Sequence, residues 1–206
     1  MPMRSCGPPI DSKLRQTELK LHPLAAALGL AAVTQASANS YVIDPTHTFA
    51  SYEVSHFGTS TSSGRFDRKE GTVTYDKAAR TGKVDITIDL SSVNTGVEPI
   101  NKQLMGKDFF NVAEFPAAKF VGDKFSFNGE KVSEVSGMLT LRGKTLPVVL
   151  KATNFNCYFN PLLRREVCGG DFETTLKRSQ WGIDHGLKLG LPDDVRLLVQ
   201  VEAIKQ

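Results

Sequence analysis

The sequence has no apolar run long enough to cross a membrane as a helix. The longest run, residues 24–33, is half of the ~20 residues that a spanning helix needs. Four basic residues precede it, and the small residues Ala36-Ser37-Ala38 follow it. Because this order is typical of a secretory signal peptide, we predict cleavage after residue 38 rather than a retained anchor. Residues 39–206 are then a periplasmic or secreted protein of single-domain size.

Neither sign of charge predominates in the chain. Its formal net charge is +3, and removing residues 1–38 takes away four basic and two acidic side chains. No stripe of Lys and Arg with interleaved aromatic residues occurs in the sequence. We therefore expect no nucleic-acid partner.

Cysteine is scarce, which limits the covalent and metal chemistry available. Of three cysteines, Cys6 falls in the predicted signal peptide, leaving Cys157 and Cys168 on either side of the turn-prone Asn160-Pro161. Two cysteines spaced in this way can close a β-hairpin with a disulfide in an oxidising compartment. A metal site is the weaker alternative, because it needs further ligands and the nearest histidine in sequence is His185.

Motifs of catalysis are also missing. The sequence contains no Gly-x-Ser-x-Gly elbow, no His-Glu-x-x-His zinc motif and no phosphate-binding loop. With both remaining cysteines paired, no thiol is left as a nucleophile. The sequence therefore predicts a protein that is not an enzyme and has no cofactor or metal.

Alternating apolar and polar residues, the pattern of half-buried strands, dominate the rest of the chain. In residues 84–90 every second side chain is apolar, and residues 71–75 are predicted to pair with this strand across a turn at 76–82. Glycines at 129, 143, 169 and 170 are predicted turn or bulge positions. Further strands are predicted at residues 118–121, 124–127, 134–141, 148–156, 170–178 and 195–204.

The segment 41–58 is predicted to be one long opening strand. Alternation directs Thr48, Ala50, Tyr52, Val54 and His56 inward and leaves Ser51, Glu53 and Ser55 outside. His47 and His56 are nine positions apart and fall on opposite faces, which disfavours a shared metal. Asp44 with His47 is either an acid–base pair or, as we favour, a strand-entry turn with a hydrogen-bonded histidine.

One segment departs from alternation. Residues 101–110 place apolar side chains about one helical turn apart, which predicts a short helix that caps one end of the strands. Seven or eight antiparallel strands at this spacing indicate either a sandwich or a closed barrel. A barrel of about eight strands is just wide enough to hold one elongated small ligand.

Several sequence blocks together resemble the YceI-like family of exported polyisoprenoid-binding proteins. They occur in the family's order and span nearly all of residues 39–206. Tyr52 stands where Phe is common in the family, and the two cysteines are not a feature of the whole family. The blocks are Tyr41-Val42-Ile43-Asp44, His47, Tyr52-Glu53-Val54-Ser55-His56-Phe57-Gly58, Gly64-Arg65-Phe66, Gly71-Thr72-Val73, Ser91-Ser92-Val93-Asn94-Thr95, Leu104, Lys107-Asp108-Phe109-Phe110-Asn111-Val112, Phe115-Pro116 and Gly137-Met138-Leu139-Thr140-Leu141-Arg142-Gly143-Lys144-Thr145.

The resemblance implies an all-β fold, an extended eight-stranded antiparallel lipocalin-like barrel with a short capping helix. It further implies non-catalytic binding, carriage or storage of a long-chain isoprenoid lipid, polyprenyl or quinone-like, in an apolar pore. The candidate pore residues, for each of which core packing is an equal alternative, are Tyr52, Val54, Phe66, Val73, Ile86, Ile88, Leu139 and Phe172. The candidate lid or mouth residues are Leu104, Met105, Phe109 and Phe110, with His56 near a ligand headgroup.

Two other functions remain open at this point. One is an enzyme that acts on such a lipid through Asp44, His47 and His56. The other is a ligand-free stress-response or interaction protein whose barrel is filled by side chains. Arg164, Arg165 and Arg178 either attract an anionic headgroup or, as we favour, form a solvated rim. A lipid carrier is also compatible with transient membrane contact and with a homodimer.

Overall fold

The structure is a computed structural model that describes Gly7 and residues 38–206. The predicted signal peptide, residues 1–38, lies outside the described residues except for Gly7 and Ala38. The strands are β1 (Asn39–Ile43), β2 (Phe49–His56), β3 (Ser60–Phe66), β4 (Lys69–Asp76), β5 (Thr81–Asp89), β6 (Val93–Asn94), β7 (Ala117–Asn128), β8 (Lys131–Leu141), β9 (Lys144–Asn160), β10 (Arg165–Lys177) and β11 (Asp194–Lys205). The helix α1 (Glu98–Met105) lies between β6 and β7, and short 3₁₀ turns occur at Leu90–Ser92, Arg178–Trp181 and Leu187–Leu189.

The strands of residues 38–206 form a closed antiparallel barrel of eight strands, three of which are interrupted. β1 and β2 pair in turn with the same edge of β11, Tyr41 with Lys205 and Phe49 with Gln200. On their other edge, β1 pairs with β4 and β2 pairs with β3. β4 then pairs with β5, and β3 pairs with β6. β7 to β11 complete the wall, and the pairing of β1 with β11 closes it. The barrel, rather than the sandwich, is therefore confirmed.

Successive turns lie alternately at the two ends of the barrel. We call one end the helix end: it carries α1, the β2–β3 turn, the β8–β9 turn at Arg142 and Gly143, and the loop from 178 to 193. The other is the disulfide end, which carries the turns at 77–80, 129–130 and 161–164. Among the described residues no helix has the length and hydropathy to span a membrane.

The prediction of one uninterrupted opening strand is wrong. The chain turns at residues 44–48, between β1 and β2. Pro45 has no backbone N–H to donate, and the carboxylate of Asp44 instead accepts hydrogen bonds from the amide of Thr46 (2.8 Å) and its hydroxyl (2.6 Å). Thr48, predicted to face inward, is buried. β1 and β2 together still occupy one strand position of the barrel, because both pair with β11.

The predicted helix over 101–110 is misplaced. Helix α1 starts earlier, with Pro99 in its first turn, where a missing N–H costs nothing. It ends at Met105, and the turn that starts at Gly106 folds back so that the amide of Phe110 donates to the carbonyl of Leu104 at 3.0 Å. Phe109 and Phe110 therefore lie in a turn packed against the helix, not in the helix itself.

Two further strand predictions need correction. Residues 118–121 and 124–127 belong to one strand, β7, which carries a bulge between Gly122 and Lys124. Gly169 and Gly170 do not form a turn: they lie inside β10, just before the register with β9 shifts because Thr153 of β9 has no partner. A Cβ at Gly169 would meet the carbonyl oxygen of Val201 at 2.0 Å, so these glycines permit close strand packing.

Other predicted features are confirmed. Val73 pairs with Val84, as expected for the β4–β5 hairpin. Gly129 and Gly143 lie in turns with positive φ. Cys157 and Cys168 are direct cross-strand partners in the β9–β10 hairpin and form a disulfide.

Candidate ligand-binding cavity

The interior of the barrel holds two mainly apolar cavities. Every second residue of β11 from Val195 to Ala203 lines one of two cavities inside it. The cavity at the helix end has a volume of about 580 Å³ and the one at the disulfide end about 70 Å³; we call them the wide and the narrow cavity. On β5 the boundary falls between Ile88 and Ile86, so the two cavities follow one another along the barrel.

The wide cavity is lined by strands, by α1 and its following turn, and by the loop from 178 to 193. Its apolar surface comes from all three parts, and its polar groups include three serines, a threonine, a glutamine, an arginine and two histidines. One of the serines is Ser55, so the prediction that Ser55 lies outside is wrong. The lining residues are Tyr52, Val54, Ser55, His56, Ser62, Ser63, Phe66, Ile88, Leu90, Thr95, Ile100, Gln103, Leu104, Phe109, Phe110, Ala118, Leu139, Leu141, Leu176, Arg178, Trp181, Ile183, His185, Leu191, Val195 and Leu197.

The structure divides the predicted pore and mouth residues between the two cavities. Met105 lines neither cavity and instead packs against the buried side chains around Leu90 and Val93. Val73, Ile86 and Phe172 line the narrow cavity. The predicted residues that line the wide cavity are Tyr52, Val54, His56, Phe66, Ile88, Leu104, Phe109, Phe110 and Leu139.

A row of aromatic rings forms one wall of the wide cavity. The rings of Tyr52 and Phe66 have centroids 6.3 Å apart, and Phe66 meets Phe110 edge-on at 5.5 Å. Burial raises the pKa of the Tyr52 phenol to about 12. Its hydroxyl forms no hydrogen bond with another described residue, which leaves a neutral donor in an otherwise apolar wall.

The loop from 178 to 193 is the part of the wall that sequence periodicity did not predict. Arg178 is buried, not part of a solvated rim as predicted, and it donates to the carbonyls of Ile183 (2.9 Å), His185 (2.8 Å) and Pro192 (2.9 Å). Burial lowers the pKa of its guanidinium. By holding these carbonyls, Arg178 positions Ile183 and His185 against the cavity. Arg164 and Arg165 are exposed at the opposite end of the barrel.

Polar groups of the wide cavity gather near its mouth. The ring of His185, on the 178–193 loop, lies 4.9 Å from that of Phe109, on the turn after α1. His56 ends β2 at the same end of the barrel, beside Phe57 at 4.9 Å between ring centroids. Both histidines that line the wide cavity thus lie at the helix end of the barrel.

The proposed polar cluster of Asp44, His47 and His56 is not assembled. His47 lies in the turn before β2, where its Nδ1 is 2.7 Å from the carboxylate of Asp44, as the strand-entry turn predicts. His56 lies at the far end of β2, a strand of eight residues that is about 23 Å long at the usual rise. Hydrogen bonding to Asp44 raises the pKa of His47. In the described part of the chain no group of three or more His, Cys, Asp or Glu side chains could hold a metal ion.

The narrow cavity lies next to the disulfide. Tyr41, Tyr75, Phe155 and Cys168 line it together with the predicted residues Val73, Ile86 and Phe172. The hydroxyl of Tyr41 donates to the carboxylate of Glu166 at 2.6 Å, so its polar end has a partner. Burial, reinforced by this hydrogen bond, raises the pKa of Tyr41.

Comparison with known proteins agrees with this architecture. The chain is 36% identical over 197 residues to a UPF0312 protein of Shewanella denitrificans, covering 91% of this chain and 100% of the relative. The crystal structure of a Campylobacter jejuni YCEI protein matches 74% of this chain and 90% of its own, with a TM-score of 0.65 and 25% identity. A polyisoprenoid binding domain from Saccharophagus degradans matches 82% of this chain and 99% of its own, with a TM-score of 0.59; at 17% identity it shows the fold alone. The family model of the YceI-like domain matches residues 41–203, and the chain belongs to this family.

Proposed function

We propose that this protein binds a long-chain isoprenoid lipid in the barrel bore and carries or stores it without chemical change. The observation that supports this proposal is the wide cavity inside the barrel, which is lined mainly by apolar side chains and is followed along the barrel axis by the apolar narrow cavity. The wide cavity alone falls within the range of about 300–1,000 Å³ that is usual for small-molecule sites. Interior side chains thus leave room for a ligand instead of filling the barrel.

The composition of the wall favours an alkyl or isoprenoid tail. Each methylene group moved from water into such a bore contributes about 0.8 kcal/mol, so a long tail needs few polar contacts to bind tightly. The tail would lie along Ile88, Leu139 and Leu197, and its end would reach Ile86 and Phe172 in the narrow cavity. His56 and His185 at the mouth, with the Tyr52 hydroxyl deeper in the wall, are the groups that would orient a polar head.

A location outside the cytoplasm belongs to the same proposal. The Cys157–Cys168 disulfide requires oxidising conditions to persist, and the predicted signal peptide would deliver the chain to them. The enzymatic alternative has no comparable support, because Asp44 and His47 lie at the opposite end of β2 from His56.

The test is to block the wide cavity from within. Leu197 lines it, whereas the adjacent Leu198 does not line either cavity and pairs with Ser51 and Glu173 on the flanking strands. Leu197→Trp should fill the bore, and Leu198→Trp adds the same side chain to the same strand outside the cavity. Each protein is expressed from the full-length chain, recovered from the exported fraction, and studied by native mass spectrometry and by lipid extraction.

We expect the wild-type protein and Leu198→Trp to release a prenyl lipid and, once stripped, to rebind a fluorescent polyprenol. Leu197→Trp should lose about tenfold or more in affinity, as expected when a tail of several methylene groups is displaced. A wild-type protein that carries no lipid and does not bind the polyprenol would refute the proposal and favour a ligand-free interaction protein. Turnover of the bound lipid would favour an enzyme instead.

A further inference from the structure

The tip of the β9–β10 hairpin, residues 158–165, exposes apolar side chains at the disulfide end. Leu162 is 92% exposed, Phe159 66% and Leu163 46%. Clustered exposure of this kind usually marks an interaction surface. None of residues 158–165 lines the wide or the narrow cavity, so the proposed lipid site does not account for their exposure.

The hairpin tip is held in one shape. The side chain of Asn160 accepts hydrogen bonds from the amides of Leu162 (3.0 Å) and Leu163 (3.1 Å). Arg164 closes the turn with a φ of 53°, in the left-handed region. The disulfide joins the two strands of the hairpin a few residues below. An apolar surface that is already ordered loses little conformational entropy when it becomes buried.

Basic side chains outnumber acidic ones, five to three, in and within two residues of the three turns at the disulfide end. Lys77 at this end is paired with Glu130 at 2.8 Å, and Glu166 accepts a hydrogen bond from Tyr41. Arg164 and Arg165 flank the exposed leucines directly and are themselves exposed. The charged residues in or next to the three turns at this end are Lys77, Arg80, Lys131, Arg164 and Arg165, against Asp76, Glu130 and Glu166.

We propose that the hairpin tip docks the protein on an anionic lipid bilayer. Leu162, Leu163 and Phe159 would enter the boundary between headgroups and acyl chains, and Arg164 and Arg165 would meet the phosphates at its surface. Long basic side chains can keep their charged ends in the headgroup layer while their stems cover apolar surface. Docking in this orientation leaves the mouth of the wide cavity facing away from the bilayer.

The protein is expressed from the full-length chain and recovered from the exported fraction. The experiment is its co-sedimentation with vesicles of phosphatidylcholine, alone or mixed with phosphatidylglycerol. Leu162→Ser tests the apolar contact, and Arg164→Gln combined with Arg165→Gln tests the charge. Leu189→Ser is the matched control, because Leu189 is 75% exposed at the helix end and does not line the cavity. All the substituted side chains are exposed, and thermal melting checks that each variant is folded.

We expect binding to the mixed vesicles that weakens with salt and is much weaker on phosphatidylcholine alone. Leu162→Ser and the double arginine variant should each weaken it about tenfold, while Leu189→Ser leaves it unchanged. Absence of vesicle binding, or equal loss in Leu189→Ser, would overturn the proposal. A homodimer that Leu162→Ser dissociates, without vesicle binding, would also overturn it and assign the tip to a second copy.

Discussion

The ring of Tyr52 lies directly over Gly64, its cross-strand partner in the wall of the wide cavity. A Cβ at Gly64 would lie 2.6 Å from the Tyr52 hydroxyl oxygen and 2.7 Å from Cζ, closer than nonbonded atoms can approach. The missing side chain of Gly64 therefore provides the space in which the Tyr52 ring rests. This pair connects the packing of the β2–β3 hairpin with the shape of the cavity.

Gly64→Ala should push the Tyr52 ring toward the cavity. We expect the free energy of unfolding to fall by about 1–3 kcal/mol, the usual effect of overpacking, and polyprenol affinity to fall with it. In a Tyr52→Ala background the same substitution should have almost no effect, because the ring it displaces is gone. Urea unfolding of the two single variants and the double variant measures this coupling. Additive effects of the two substitutions would show that the ring does not depend on Gly64.

Arg178 gives a second prediction, because it holds three carbonyls of the 178–193 loop. Arg178→Met keeps the length of the side chain but leaves these buried acceptors without a donor. The free energy of unfolding should fall by about 2–4 kcal/mol, and polyprenol affinity should fall because Ile183 and His185 lose their support. Lys177→Met is the control: it removes only an exposed ion pair with Asp194 and should leave urea unfolding unchanged. Equal effects of the two substitutions would contradict this role of Arg178.

The strands that could be predicted from sequence are those in which one face is buried and the other is exposed to solvent. In β5, Val84, Ile86 and Ile88 face the bore between polar neighbours, so alternation alone identifies both strand and interior face. The points at which a strand is interrupted are harder to predict from sequence, because they depend on local turn chemistry. The carboxylate of Asp44 and the missing amide hydrogen of Pro45 outweigh the strand pattern that continues through them.

The candidate site was predicted where strands form it and missed where a loop does. Trp181, Ile183 and His185 contribute to the wide cavity from a segment without alternation, and their contacts are set by the buried Arg178. One signal was available: Trp181 is the only tryptophan of the chain, and large aromatic residues are seldom left on a loop without packing. Phe109 and Phe110, predicted to form a lid or mouth, line the wide cavity from a turn and not from the helix assigned to them.

The turn at Asp44 predicts a dependence of stability on pH in two ranges. Partial burial of the Asp44 carboxyl opposes ionisation, but the hydrogen bonds from Thr46 and His47 outweigh it and lower its pKa to about 2 from the ordinary 3.8. A lowered pKa stabilises the fold fully above pH 3.8, and this stabilisation is lost as the pH falls toward 2. The raised pKa of His47 acts in the opposite sense: its contribution is complete below 6.5 and is lost as the pH rises above that value.

Asp44→Asn should remove both dependences, because it takes away the charge that each depends on. Urea midpoints measured near pH 2, 5 and 9 should show the wild-type protein losing more stability than Asp44→Asn at both extremes relative to pH 5. Asp67→Asn is a useful comparison, since Asp67 also has a lowered pKa but lies away from His47. It should reduce the acid dependence only. Parallel pH profiles for wild-type and Asp44→Asn proteins would contradict the prediction.

The disulfide should stabilise the barrel through the hairpin that it closes. Cys157 and Cys168 are separated by 11 positions, and in the chain-entropy model a loop of this length contributes about 3 kcal/mol to the free energy of unfolding. The double substitution Cys157→Ala with Cys168→Ala should lower stability by about this amount in urea unfolding. Reductant should lower the stability of the wild-type protein similarly and leave the double variant unchanged. Alkylation of the exported protein should modify two cysteines only after reduction and unfolding, and alkylation of either cysteine before reduction would show that the bond is not formed.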